Sequence, residues 1–379
     1  MTTRPRARML GVDALWRLPP GPLNAITDVA GVRVGHATVW FGEGPLLPGA
    51  GPARTGVTTI LPHAGNLFRE KVAAAVHTIN GYGKACGFEQ VRELGELETP
   101  IALTNTLNVW RVADALVDHA LHANPDIGIA TSTVNPVVGE CNDGYLNDIQ
   151  GRHVKAEHVR AALVSAASGA VSEGAVGAGA GTTCYGWKGG IGTASRATPA
   201  EAGGFLVGAL VQTNFGRPEE LRFGAWPVGQ VLRAPAQAAP AHGSVMVVLA
   251  TDAPLDARQL HRLCVRAEAG LARTGATIGH GSGEFVIAFS TVRRIYHEAF
   301  APPIVRPASV LANEAAALES LLPAVVEAVE EAVLNSLCAA ETVVGRDGHI
   351  RHALPLAQVR QLLGSTSQIG HVAAKRDKA

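Results

Sequence analysis

Two serines stand at the entrances of apolar runs. Ser244 precedes Val245-Met246-Val247-Val248-Leu249-Ala250, and Ser282 precedes Gly283-Glu284-Phe285-Val286-Ile287-Ala288-Phe289. A buried strand has no packing need for a hydroxyl at its first position, although serine is an ordinary strand-edge residue. The glycines around Ser282 leave its hydroxyl and the Glu284 carboxylate uncrowded. Hydroxyls and a carboxylate at strand mouths are the materials of acyl-transfer chemistry, in which a serine attacks a carbonyl once a base has taken its proton. His280 opens a rival serine–histidine–acid reading, but neither serine lies in a Gly-x-Ser-x-Gly elbow.

The intervening segment decides whether the two entrances can meet. Asp256 is a helix N-cap, Leu260, Leu263, Ala267 and Leu271 recur at helical spacing, and Gly275 stands where a C-cap glycine would. A strand-helix-strand unit of this kind favours parallel strands, which places Ser244 and the Ser282/Glu284 pair at one sheet edge. Upstream, Phe205–Val211 reads as a strand running out through Gln212-Thr213-Asn214, and Gly56–Pro62 as another. The stretch around Asp28–His36 reads as a hairpin, and Arg69–Thr78 as a scaffold helix. Leu107–Ala123 is an amphipathic helix, Leu322–Ala340 a helix with Pro323 near its first turn, and Leu356–Leu363 a last short helix.

Other polar clusters narrow the chemistry. His119 and His122 share a helix but lack a third ligand of the His-Glu-x-x-His kind, so no metal is expected. The segment Thr133–Tyr145 reads as a loop in which Glu140, Asn142 and Asp143 crowd around a tight turn. Gly174–Gly192 fails as a nucleotide loop. Trp187 intervenes before Lys188, no Gly-Lys-Ser/Thr is formed, and no Gly-x-Gly-x-x-Gly opens a helix. These glycines are expected to serve close backbone approach or positive φ angles.

Together, Gly243–Leu255, Gly281-Ser282-Gly283-Glu284, Lys188-Gly189-Gly190-Ile191-Gly192-Thr193-Ala194-Ser195-Arg196 and Asp143-Gly144-Tyr145-Leu146-Asn147-Asp148 resemble the self-processing serine aminopeptidases. That family comprises the L-aminopeptidase D-amidase/D-esterases and the β-peptidyl aminopeptidases, and the resemblance runs from about Gly21 to about Leu363. It implies an α+β, four-layer αββα sandwich of N-terminal-nucleophile (Ntn) hydrolase type. It also implies one domain, 1–379, cut between Gly243 and Ser244 into chains 1–243 and 244–379. The Ala/Pro-rich segment Leu232–Gly243 is the expected processing linker.

The resemblance carries roles to particular residues. Ser244 becomes the nucleophile, Ser282 and Glu284 orient and tune it, and Asn214 donates to the oxyanion. Glu140 receives the substrate ammonium, with Asp143 as a rival, and Tyr145 forms a pocket wall able to hydrogen-bond the acyl group. A serine freed as an N-terminus brings an α-amine titrating near roughly 8, so either that amine or a Ser282/Glu284 relay is the base. The relatives' plan also admits an acyltransferase of the ornithine acetyltransferase type, expected to carry threonine at position 244, and a non-catalytic scaffold with an inert Ser244.

Composition bounds the partners. The 379 residues hold 32 basic and 32 acidic side chains, which supplies no electrostatic footprint for nucleic acid or anionic lipid. No segment has the length and apolarity of a membrane span. Five scattered cysteines without a Cys-x-x-Cys pair suit a reducing compartment. The basic N-terminus lacks the apolar run of a signal peptide. The expectation is a cytoplasmic homo-oligomer of cleaved two-chain protomers, needing no cofactor, that acts on a small peptide or an amino-acid amide or ester.

Overall fold

The computed structural model describes residues 4–234, 243–297, 305 and 307–364. The linker residues 235–242 and the tail beyond 364 lie outside them. Fourteen strands are described: β1 Arg33–Phe41, β2 Ala53–Leu61, β3 Glu70–Gly81, β4 Glu96–Leu97, β5 Ile101–Asn105, β6 Val137–Cys141, β7 Thr183–Cys184, β8 Trp187–Lys188, β9 Ile191–Ala197, β10 Leu206–Asn214, β11 Ser244–Thr251, β12 Gly283–Tyr296, β13 Val343–Val344 and β14 Ile350–Arg351. The α-helices are α1 Phe88–Leu94, α2 Val109–Ala123, α3 Ala156–Ser165, α4 Val228–Leu232, α5 Ala257–Arg273 and α6 Glu314–Ala339. Residues 356–364 are also helical.

The strands form a four-stranded sheet, ordered β1-β2-β5-β6, and a six-stranded sheet, ordered β4-β3-β12-β11-β10-β9. Met246, Val248 and Ile287 of the larger sheet meet Ile60, Leu103 and Val137 of the smaller one in a core between the sheets. The outer face of the larger sheet, through Val245, Val247 and Val286, packs on Leu260 and Leu263 of α5 and Val329 and Val333 of α6. The smaller sheet buries Val57, Ala102 and Val138 against Val112, Leu116 and Val159 of α2 and α3. The layers therefore run helix, sheet, sheet, helix, as expected from the family resemblance.

In β11 every residue is buried, because both faces of the strand are covered. That explains a continuous apolar run without alternation. α5 is capped by Asp256, whose side chain accepts from the Gln259 amide, and the parallel β11–β12 pairing sets Ser244 opposite Gly283. The glycine-rich centre serves close approach. A Cβ on Gly190, at φ +139°, would lie 1.9 Å from the Gly174 carbonyl oxygen, and one on Gly192 would lie 2.0 Å from that of Ala332 in α6.

Four expectations are corrected. Residues 70–81 form strand β3, not a helix: the Ala-rich run is buried between β4 and β12 with α5 over it, where small side chains let helix and sheet approach. Asp28–His36 is not a hairpin. Residues Ile26–Asp28 make a 3-10 turn, and β1 takes its antiparallel partner from β2 instead. α6 begins at Glu314, capped by Asn313, which leaves Pro323 inside the helix and not at its first turn. Finally, Glu140 lies in strand β6, one residue from its end, and not in a loop.

Candidate active site

Ser244 is the first residue of β11, flanked by antiparallel β10 and parallel β12. Its register partners are Asn214, the last residue of β10, and Gly283, the first of β12. Three strand ends thus converge on one hydroxyl. The Ser244 Oγ accepts from the Asn142 amide at 3.3 Å, and the buried Cys141 thiol lies against it. Ahead of it, the Gly243 carbonyl accepts from the Gly283 amide at 3.1 Å.

A cavity of about 430 Å³ opens on this hydroxyl, with Ser244, Asn214, Glu140 and Tyr145 in its wall. Asn214 accepts from the Thr183 amide at 3.0 Å and the Thr183 hydroxyl at 3.3 Å, both through Oδ1, which leaves its Nδ2 to donate toward the cavity. Glu140 is buried, and burial raises its pKa. Its oxygens accept from the Thr106 hydroxyl and, at 3.0 Å, from the Lys84 amide. The Lys84 ammonium, from the same cavity wall, acts against that rise without an ion pair to Glu140 among the described residues, so a substrate cation has a buried carboxylate to meet. Asp143 faces elsewhere: it is fully buried, holds Asn147 at 2.9 Å, and does not line the cavity. Tyr145 stacks on His349 with ring centroids 4.4 Å apart.

Ser282 and Glu284 lie on the other side of the Gly243–Asn214 wall, in an adjoining cavity of about 100 Å³ that shares Thr183, Asn214 and Gly243 with the first. The Ser282 hydroxyl donates to Glu284 Oε1, while Oε2 is buried without a partner. Burial raises the Glu284 carboxyl from 4.5 to about 7. The rival triad is not assembled among the described residues: the His280 side chain is exposed, and Ser282 spends its proton on Glu284.

Several wall residues escaped the sequence reading. Thr106 and Lys84 flank Glu140, Thr183 orients Asn214, and Arg346 and Arg351 of the β13–β14 hairpin line the cavity. Only Thr183 had a signal, its place inside the glycine-rich stretch.

A four-layer αββα sandwich whose central strand begins at a buried serine defines an N-terminal-nucleophile hydrolase, here of the serine aminopeptidase class. A family model for Peptidase family S58 matches residues 24–351, and the chain belongs to that family. It is 42% identical over 374 residues to a β-peptidyl aminopeptidase of Sphingosinicella microcystinivorans, covering 95% of this chain and 92% of that protein. Among solved structures it is similar to the PH0078 protein of Pyrococcus horikoshii, with TM-score 0.89 and 48% identity over 95% of this chain and 99% of that one. It is also similar to the L-aminopeptidase D-Ala-esterase/amidase of Ochrobactrum anthropi, described as a variant of the Ntn hydrolase fold. There the TM-score is 0.87 and the identity 39%, over 96% of this chain and 99% of that one.

Proposed function

We propose that the chain cuts itself between Gly243 and Ser244 and then removes the N-terminal residue from short peptides, amides or esters, with β-amino acid residues first in line as substrates. The placement of Ser244 and Glu140 in the wall of one cavity carries this reading. It gives an attacking hydroxyl and an ammonium anchor in the same space.

In the precursor, the Ser244 Oγ attacks the Gly243 carbonyl carbon. The Gly283 amide, already on that carbonyl oxygen at 3.1 Å, is poised to stabilise the oxyanion. The Gly243–Ser244 C–N bond breaks, leaving an ester on Oγ and a free Ser244 amine. Water then releases chain 1–243 with a new carboxylate and chain 244–379 with a new α-amine.

In the mature site, the substrate ammonium pairs with Glu140 and its first acyl group lies against Tyr145. Ser244 Oγ attacks the carbonyl, the base being either its own α-amine or the Ser282/Glu284 pair. Asn214 Nδ2 donates to the oxyanion, the leaving amine departs with the proton, and water hydrolyses the acyl-serine. The relatives support β-residues as the class to try first. A serine in place of threonine at position 244 stands against the acyltransferase reading.

Cleaved protomers assemble as homo-oligomers in the cytoplasm on this reading. Exposed Trp40, Phe41 and Trp110 support the first part, and five free cysteines the second. Among the described residues no helix is long and apolar enough to cross a membrane.

Intact-protein mass spectrometry on the wild type beside Ser244→Ala tests the proposal. Two fragments meeting at Gly243/Ser244 and absent from the variant are expected, with hydrolysis of β-alanyl or alanyl p-nitroanilide by the wild type alone. A single 39.2 kDa species in both would end it.

A further inference from the structure

The cavity wall holds a cationic end that the chemistry above does not use. Arg346 and Arg351, from the β13–β14 hairpin, line the same cavity as Ser244 and Glu140. Arg351 is only 3% exposed, yet no carboxylate pairs with it among the described residues. Its guanidinium carbon stands 3.6 Å from the centre of the Tyr145 ring, it hydrogen-bonds the Tyr145 side chain, and Nη1 donates to the Ile350 carbonyl at 3.2 Å. Its Nε is buried with no partner at all. Arg346 is half-buried, with Nε on the Gly144 carbonyl at 2.7 Å and Nη1 on Asp347 at 2.6 Å.

A buried guanidinium without a counter-anion is costly, so structures keep it paired or make it part of a site. Other buried cations are satisfied in one of two ways: Arg196 holds two glutamates, while Arg54 and Lys188 have their donors taken up by backbone carbonyls. Arg351 has neither arrangement in full, with Nε left over, and it lines the cavity that also holds the buried Glu140 carboxylate. Among the described residues neither arginine forms an ion pair or hydrogen bond with Glu140, whose side-chain oxygens are taken by Thr106 and the Lys84 amide. A cavity of about 430 Å³ with an ammonium anchor at one end and a guanidinium at another matches a short zwitterion.

We infer that Arg351, helped by Arg346, is a subsite for the free C-terminal carboxylate of a short peptide. The enzyme then favours dipeptides with a free acid end over the corresponding amides. The inference rests on the aminopeptidase reading and adds the substrate's second charge to it. A planar guanidinium accepts a carboxylate in a two-pronged geometry that a lysine cannot copy.

Steady-state kinetics on the processed wild-type enzyme, with alanyl-alanine and β-alanyl-alanine beside their C-terminal amides, test it. The expected KM is on the order of 10-fold or more lower for the acid than for the amide, as a charge-assisted contact supplies. In Arg351→Met the acid-to-amide ratio of KM is expected to collapse toward one, while Arg351→Lys retains part of it. The appearance of two chains in each variant reports correct folding, and the wild-type comparison decides the matter even if Arg351→Met fails to accumulate. Hydrolysis of none of the four compounds would sink the aminopeptidase reading and the subsite with it. Hydrolysis with equal KM for acid and amide, or an Arg351→Met loss shared equally by both, would overturn the subsite alone.

Discussion

Glu284→Gln isolates a buried carboxyl on the strand paired with that of Ser244. Glutamine keeps the shape and keeps an acceptor for the Ser282 hydroxyl, but it cannot ionise. In the wild type, burial raises the carboxyl from 4.5 to about 7 and leaves Oε2 without a donor. The distance from 4.5 to about 7, at about 1.4 kcal/mol per pH unit, makes ionisation in place cost roughly 3 kcal/mol. Below pH 4.5 both folded and unfolded chains hold this proton. Between 4.5 and about 7 the folded state holds it and the unfolded state does not, so rising pH removes stability from the wild type. Above about 7 the deficit is constant.

The glutamine amide brings a fixed penalty, because its NH2 takes the place of the unpartnered Oε2, at about 1–3 kcal/mol. That penalty does not depend on pH. The quantity to measure is therefore the change in the variant-minus-wild-type difference between pH 4 and pH 8, by urea unfolding. The measurement is made in a Ser244→Ala background, which on the proposed mechanism stays in one piece. The difference is expected to swing by roughly 3 kcal/mol in favour of the variant on going to pH 8. In the processing-competent protein, a Ser282/Glu284 base gives a wild-type rate that rises through about pH 7 and loses that limb in Glu284→Gln, whereas an α-amine base leaves the limb in place. A difference that stays flat from pH 4 to pH 8 would refute the burial argument.

Asn214→Ala removes the proposed side-chain donor to the oxyanion and is expected to lower kcat by about 10²–10³ with little change in KM, measured on processed enzyme; an unchanged kcat would exclude the role. Arg196→Met leaves the buried Glu327 and Glu331 carboxylates without their shared cation, now at 3.0 and 2.7 Å, and is expected to cost about 3–5 kcal/mol in urea unfolding. A loss below about 1 kcal/mol would show that water or the Arg8–Glu331 pair takes over.

The strand-helix-strand unit around Ser244 was legible because local signals agreed: an apolar run, an Asp N-cap, helical spacing and a glycine stop. Asn214 was visible as a strand exit, yet its place opposite Ser244 is a register fact that no local pattern contains. Arg69–Thr78 misled because alanine's helix preference is intrinsic, whereas residues 70–81 answer to a sandwich whose layers must approach closely. Pro323 misled for a related reason. It reads as a first-turn residue, but α6 gains an additional N-terminal stretch that packs Ala317, Leu318 and Leu321 into the core. Arg346 and Arg351 gave no signal because their hairpin joins the site only by folding back onto the Asn142–Tyr145 turn.

Lys188 shows how far the support for one hydroxyl extends. Burial pushes its ammonium down to about 7, which favours the neutral amine. Its Nζ nevertheless meets three carbonyls, of Gly179, Thr182 and Gly189, at 2.8, 2.7 and 2.7 Å. A neutral amine has two N–H donors and an ammonium three, so the geometry requires the cation. Each of those carbonyls would otherwise be an unsatisfied buried acceptor. The ammonium thus gathers the two sides of the glycine-rich stretch around Thr183, and Thr183 in turn fixes the Oδ1 of Asn214, a residue of the cavity wall. A motif that reads in sequence as a failed nucleotide loop is, in the fold, a buried charge turned to holding the Asn214 side chain, the proposed oxyanion donor, in place.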